Sequence, residues 1–184
     1  MISKKVLALF VAISSISAFA QKKPVSNSYF DIGYSTMTYS DTSANLKPTG
    51  LRAVYGQHTS DNFGWEGLLG LGMNEDSTQF NSATVGLKIG TVLGIYGKGF
   101  IKPSDSFEMF GRLGYANVSR DATCTPVARC TTASAKETGN SISYGVGLKF
   151  EVSKNISIIG DYMSYYNRES ISINATTIGV SFGF

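Results

Sequence analysis

Large apolar residues alternate with small or polar residues over most of the chain, and this period of two predicts β-strands. The clearest segment covers residues 142–152, where six large residues alternate with Ser143, Gly145, Gly147, Lys149 and Glu151. Seven further segments show the same period, at residues 29–39, 49–58, 63–73, 83–101, 107–119, 156–166 and, at the end of the chain, 177–184. The sequence therefore predicts an all-β protein with eight strands.

The second face of each strand is unusual for a protein folded in water. It contains many glycines together with scattered charges, for example Gly64, Glu66 and Gly70 opposite Trp65 and Leu69. Glycine weakens a strand and has no side chain to reach solvent. It suits a narrow interior that eight strands enclose, while the large apolar faces point outward to lipid. We therefore expect an eight-stranded antiparallel up-and-down transmembrane β-barrel, the alternative being a soluble sandwich or barrel with an apolar core.

The connections between the predicted strands alternate in length. Those at 40–47, 74–82 and 120–140 are long, those at 59–62, 102–106 and 153–155 are short, and the one at 167–172 is intermediate. Barrels of the outer membrane have short periplasmic turns and longer extracellular loops. With an even strand count, both chain ends fall on the side of the short turns. Aromatic residues near the strand ends are interpreted as interfacial girdles: Tyr29, Phe30, Tyr39, Phe63, Trp65, Phe107, Tyr165, Tyr166 and Phe184.

Residues 1–20 have the pattern of an export signal. Lys4 and Lys5 precede a short apolar run, and Ala18-Phe19-Ala20 is a small-x-small cleavage site. The run is too short for a membrane anchor, which needs about 20 apolar residues. We expect a mature barrel domain of residues 21–184. Without the two signal lysines it has 14 basic and 13 acidic side chains, a net charge of +1, and it lacks the basic cluster typical of nucleic-acid binding.

Four stretches resemble the small outer-membrane β-barrel family that includes OmpX, the OmpA transmembrane domain and the Opa-type adhesins. They are Phe63-Gly-Trp-Glu-Gly-Leu-Leu-Gly-Leu-Gly72, Phe110-Gly-Arg-Leu-Gly-Tyr115, Tyr144-Gly-Val-Gly-Leu-Lys149 with the segment from Asn155 to Tyr162, and Gly179-Val-Ser-Phe-Gly-Phe184. The last stretch, with Gly179, Phe182 and Phe184, resembles the terminal signal that the barrel assembly machinery reads. The resemblance implies a monomeric barrel in the outer membrane of a Gram-negative cell. Ile159 stands where the family often has Arg, so we do not expect every interior salt bridge of the family in this chain.

The inward charges are the most specific candidate constellation. The set consists of Asp31, Arg52, Glu66, Lys88, Glu108, Arg112, Lys149, Glu151 and Asp161. Buried charges must be paired, and an eight-stranded barrel has room for little more than side chains. We expect an ionic network that plugs the barrel, with Glu66 and Arg112 as its central pair. An ion pathway is the alternative.

The chain has two cysteines, Cys124 and Cys130, in the longest predicted loop. Export exposes them to an oxidising compartment, so a disulfide is favoured over a metal site, for which no His or carboxylate cluster accompanies the pair. His58-Thr-Ser60 is similar to the His-x-Ser of outer-membrane lipid A deacylases, but the predicted register puts His58 at the periplasmic end of its strand, away from lipid A. We expect no catalytic residues, no metal and no cofactor.

Two functions remain open. In the first, a non-enzymatic scaffold displays its loops, above all 120–140, for adhesion, binding of a host or surface ligand, or envelope integrity. In the second, the barrel is a narrow porin-like channel or transports a small solute. Both place the protein among outer-membrane lipid and lipopolysaccharide, with assembly by the barrel machinery and no nucleic-acid partner.

Overall fold

The computed structural model describes residues 28–41, 45–80, 83–125, 134–168 and 170–184. The predicted signal peptide lies outside these residues. Ten strands follow one another: β1 (Ser28–Ser40), β2 (Asn45–Leu46), β3 (Thr49–His58), β4 (Phe63–Asn74), β5 (Asp76–Phe80), β6 (Ala83–Ser104), β7 (Phe107–Thr125), β8 (Ser134–Ser153), β9 (Ile156–Arg168) and β10 (Ile171–Gly183). Across the described ranges, no helix has the length and apolar character of a membrane span.

Eight of the strands form a closed barrel. Each pairs antiparallel with its neighbours in the order β1, β3, β4, β6, β7, β8, β9 and β10. The last strand returns to the first, in a register that runs from Tyr29 opposite Gly183 to Ser40 opposite Ser172. The short strands β2 and β5 add to β1 and β6 outside this ring. The predicted eight-stranded antiparallel up-and-down barrel is confirmed.

Most of the apolar side chains that the sequence pattern places outward point away from the barrel axis. Val146 and Ile178 are 65% and 66% exposed, whereas Glu66 is completely buried. Along β8 the outward apolar residues run from Ile142 to Val152, which at about 3.4 Å per residue and a tilt of about 45° spans roughly 24 Å. Outer-membrane barrels present an apolar band of about 25 Å to lipid.

The outer half of β6 has the opposite orientation to the predicted one. Leu87 and Ile89 are buried, although the sequence pattern placed them outside with Lys88 inside. The pairing of β6 with β7 shifts between Ile89 and Val92, so a bulge reverses the alternation at this point. Beyond the shift, Leu93 and Ile95 face outward as expected.

Four of the predicted girdle aromatics are also inside the barrel. Tyr29, Tyr39, Tyr165 and Tyr166 are buried, whereas Phe30, Phe63, Trp65 and Phe184 are exposed on the outside. Tyr29 and Tyr39 are an even number of residues away from the inward Asp31 on the same strand, so they point to the same side. Strand alternation, and not proximity to a strand end, therefore decides their orientation. The girdle prediction is wrong for these four residues.

Three strands run far past the apolar band. A tilted strand crosses a membrane with about 9–11 residues, but β6, β7 and β8 have 22, 19 and 20. Their outer parts stay paired up to Thr123 opposite Ser134, and β5 adds to the edge of β6. We call the sheet made by β5 and the outer parts of β6 (84–89), β7 (119–125) and β8 (134–138) the outer ribbon. Most of the predicted loop 120–140 is therefore strand, and residues 126–133 lie outside the described residues.

The opposite end of the barrel has short turns at 59–62, Asp105–Ser106 and Lys154–Asn155. Asn155 has a φ of 67°, in the left-handed region that asparagine tolerates better than most residues. Ser28 and Phe184 lie at the same end, where the Phe184 N–H donates to the Ser28 carbonyl over 3.0 Å. The described chain ends are thus on the short-turn side.

Candidate functional site: an ionic network in the barrel interior

Seven barrel strands contribute charged side chains to the interior on the short-turn side. Each strand places every second residue inward, so one or two charges per strand meet around the axis. The group consists of four acidic and four basic residues: Asp31, Glu66, Glu108, Asp161, Arg52, Lys98, Arg112 and Lys149. Their formal charges cancel, which is the condition for burying so many together.

Arg112 is the centre of this network. Its guanidinium contacts Glu66 through Nε and, over 3.2 Å, through Nη2. Its Nη1 donates to Asp161 Oδ2 over 2.8 Å, and Nη2 lies 3.7 Å from Asp31 Oδ2. One planar cation thereby joins carboxylates from three different strands, as its fork of donors allows. The Glu66 and Arg112 pair expected from the sequence is in direct contact.

Asp161 also binds a second arginine. Arg52 donates from Nη1 and Nη2 to the two Asp161 carboxylate oxygens over 2.6 and 2.5 Å. Such a two-pronged pair fixes both side chains more firmly than a single contact. Glu66 in turn accepts a hydrogen bond from the Tyr29 hydroxyl. The network therefore extends from β3 through β9, β7 and β4 to β1.

Lys98 extends the network toward the short turns, and the sequence analysis missed it. Its Nζ lies 2.7 Å from Glu108 and 3.9 Å from Glu66. The same ammonium lies 4.6 Å from the ring centroids of both Tyr29 and Phe110, within the range of cation–π attraction. The sequence signal that could have identified Lys98 is the outward face of Leu93 and Ile95. Lys98 is an odd number of residues away from both, so the alternation of the strand points it inward.

Two predicted members, Lys88 and Glu151, lie outside this network, and Lys149 belongs to it. Lys88 lies opposite Asp121 in the outer ribbon, because the bulge in β6 turns it away from the interior. Glu151 is exposed near the end of β8. Lys149 is half-buried, with its Nζ 4.3 Å from the Tyr29 ring centroid. Ile159, which stands where the resemblance led us to expect an Arg in many members, packs with Phe100 and Phe110.

The outer half of the interior is mainly apolar, with a few buried hydroxyl groups such as those of Tyr96 and Ser143. Its buried cluster includes Met37, Ile89, Val92, Tyr96, Met163, Tyr165 and Ile173. Leu46 of β2, which lies in the first outer connection, is buried in the same cluster. Side chains therefore fill the barrel at two levels, charged toward the short turns and apolar toward the ribbon.

The other predicted sites are placed as follows. Phe182 and Phe184 point outward at the end of β10, and Gly179 passes so close to β1 that a Cβ would lie 2.6 Å from the Gly33 Cα. Cys124 lies near the end of β7, while Cys130 is outside the described residues, so their disulfide stays a prediction.

His58 lies at the short-turn end, as predicted. It stacks near Tyr29 and Phe100, with ring centroids 5.0 and 4.6 Å away. Among the described residues, no group of three or more His, Cys, Asp or Glu side chains is arranged to hold a metal ion.

A closed barrel with an apolar exterior and a filled, charge-balanced interior defines the class of small integral outer-membrane barrels. The model of the family described as outer membrane protein beta-barrel domain matches residues 6–184, and the chain belongs to this family. Family and fold together place the protein in the outer membrane.

Solved structures share the fold at low sequence identity. The attachment invasion locus protein Ail of Yersinia pestis, in complex with the heparin analogue sucrose octasulfate, is 16% identical, with a TM-score of 0.63 over 85% of this chain and 97% of that one. Neisserial surface protein A is 13% identical, with a TM-score of 0.61 over 88% and 100%. OprG from Pseudomonas aeruginosa is 9% identical, with a TM-score of 0.56 over 87% and 97%. No curated protein matches the chain.

Proposed function

We propose that the protein is a non-enzymatic scaffold that displays the outer ribbon and its connections to the outside of the cell, for adhesion, for binding a host or surface ligand, or for envelope integrity. The observation that supports this most directly is the length of β6, β7 and β8, which continue as paired strands well beyond the apolar band. A barrel that served only to span the membrane would not need them.

The outer ribbon has an edge suited to recognition. Pairing of β8 with β9 begins at Tyr144 opposite Ser164, whereas pairing of β8 with β7 continues outward to Ser134. Residues 134–138 are exposed. An exposed strand edge can add an extended segment of another chain through main-chain hydrogen bonds. This supports a protein ligand for the ribbon.

The filled interior argues against the alternative, a narrow porin-like channel or a small-solute pathway. Arg112 and Lys98 are buried between carboxylates, and the apolar cluster lies between them and the outside. An ion would have to break several charge-assisted contacts and then cross an apolar layer. The structural role of the network, a plug that closes the barrel, is part of this proposal.

The proposed partners follow from the position of the protein in the outer membrane. Outer-membrane phospholipid and lipopolysaccharide surround a monomeric barrel, and the barrel assembly machinery reads the terminal Gly179, Phe182 and Phe184. The mature chain begins near Gln21 after signal cleavage. Ail, which shares the fold, is described in complex with a heparin analogue, and a sulfated glycan is one class of surface ligand to include in binding assays.

The experiment shortens the ribbon without disturbing the barrel. Residues 122–135 are replaced by Asn-Gly, which joins the paired Asp121 and Lys136 by a two-residue hairpin turn. We expect cells with the shortened chain to lose adhesion or ligand binding while the barrel still folds. The same proteins are measured in planar bilayers, and a steady conductance of the full-length barrel would favour the channel instead.

A further inference from the structure

The outer surface of the barrel has an apolar depression within the band that faces lipid. It lies across β1, β3, β4 and β6 and has a volume of about 430 Å³. Its lining includes Phe30, Ala53, Tyr55, Gly67, Leu69 and Leu93. We call it the Gly67 depression. None of these side chains carries a charge.

Two small outward residues create the depression. A Cβ placed on Gly67 would have no heavy atom within 4 Å, so the missing side chain leaves open space rather than room for a neighbour. Gly67 lies opposite Tyr55, and Ala53 lies opposite Leu69, so the two small residues are diagonal neighbours. The surrounding Tyr55, Leu69 and Leu93 are 41%, 41% and 52% exposed and form the walls.

The position of the depression identifies its occupant. It lies within the apolar band, which faces lipid chains in a membrane. Toward the short turns it is bordered by Tyr55, Trp65 and Phe184, with ring centroids 5.7 and 6.4 Å from that of Tyr55. Such rings mark the headgroup level of a bilayer. A hydrocarbon chain that descends from this level enters the depression directly.

We propose that the Gly67 depression binds one acyl chain of a phospholipid from the leaflet on the short-turn side. A methylene chain gains contacts on several sides there, whereas a flat part of the barrel offers contacts on one side only. A polar ligand would find no charged partner in this lining. The inference rests on the shown membrane position of the barrel and is independent of what the outer ribbon binds.

Trp65 is the single tryptophan of the chain and provides a local probe. It lies two residues before Gly67 on β4, so both face outward, about 7 Å apart. Brominated phosphatidylethanolamine, whose chains quench tryptophan on contact, is titrated into the full-length mature barrel in detergent. We expect quenching that saturates at one lipid per barrel.

The test variant is Gly67→Leu, which fills the depression. The matched control is Gly160→Leu on β9, another outward glycine, where a Cβ would have only Thr177 O at 4.0 Å. We expect Gly67→Leu to need at least about threefold more lipid for half-maximal quenching because the chain loses its surrounding contacts, while Gly160→Leu titrates like the parent. Ala53→Leu, which fills the other end, serves if Gly67→Leu does not fold.

Three results would overturn the proposal. The first is quenching that rises linearly with lipid in the parent, as for unspecific partition. The second is identical saturation in all variants. The third is a dimer of the parent that Gly67→Leu converts to a monomer, which would make a second copy of the chain the occupant. Mass spectrometry of the intact complex, with one phospholipid retained by the parent and by Gly160→Leu only, checks the stoichiometry separately.

Discussion

Replacement of Arg112 by alanine is the most direct test of the interior network. The change removes the cation that contacts Glu66 and Asp161 and lies 3.7 Å from Asp31. Among the described residues, Asp161 keeps its pair with Arg52, whereas Glu66 is left with the Tyr29 hydroxyl and Lys98 at 3.9 Å. We therefore expect the main cost at Glu66, which is completely buried.

The magnitude follows from the loss of one partner in a buried ion pair, which typically costs about 3–5 kcal/mol. At about 1–3 kcal/mol per molar for urea, this lowers the unfolding midpoint by roughly 2 M. Arg168→Ala is the control, because Arg168 is exposed and its side chain donates to the Asn140 carbonyl over 3.3 Å. A surface substitution of this kind changes stability by about 0.5 kcal/mol or less.

The assay is equilibrium unfolding in detergent or lipid vesicles, followed by the fluorescence of Trp65. Trp65 lies on the outside of β4, 41% exposed, and reports the loss of the apolar environment. The double variant Arg112→Ala/Glu66→Gln removes the unpaired charge as well. It should recover part of the loss, with a coupling of about 2 kcal/mol between the two sites.

The reasoning fails if Arg112→Ala unfolds at the same urea concentration as the parent and conducts ions in planar bilayers. This outcome would mean that Arg112 controls a pathway instead of closing the barrel. An Arg168→Ala variant as unstable as Arg112→Ala would equally refute the argument, because burial would then not determine the cost.

Two further predictions address Lys98 and the cysteines. Lys98→Met should destabilise the barrel by about 2–4 kcal/mol because Glu108 loses its ion pair over 2.7 Å and keeps Lys102 at 3.7 Å. Lys88→Met in the ribbon should change stability by about 0.5 kcal/mol or less in the same urea titration. Equal effects of the two substitutions would contradict the assigned positions. Reduction of the full-length chain should add the mass of two hydrogens if Cys124 and Cys130 are joined, and an unchanged mass on reduction would refute the disulfide.

The sequence predicts the barrel because eight alternating segments repeat one simple period. Along 142–150, the large residues are outside, while the alternating small residues and Lys149 face the interior, so the local pattern decides the register alone. The same reasoning placed Arg52, Glu66, Arg112 and Asp161 inside, where they meet. Whether a side chain faces inward or outward depends on the local alternation, so the sequence predicts it wherever the strand is regular.

The misplaced residues lie where a strand is irregular or where strand parity was not applied. The bulge between Ile89 and Val92 reverses the direction in which Lys88 points. A glycine within a strand can mark a bulge, but Gly90 does not stand out because glycines recur along β6. Tyr29, Tyr39 and Tyr165 were assigned by proximity to strand ends, although their parity decides their side. The extension of β7 beyond residue 120 and of β8 before residue 141 was also missed. Short polar residues such as Thr123 and Ser134 resemble a loop in composition, although they pair in the outer ribbon.

The pairing of β10 with β1 has a consequence for biogenesis. One edge of β1 stays unpaired until β10 has been synthesised and delivered, since the ring closes only when Gly183 lies opposite Tyr29. A chain held in this open condition invites aggregation. Folding must therefore follow export instead of accompanying it, and the newly made polypeptide requires protection throughout its passage between the two membranes.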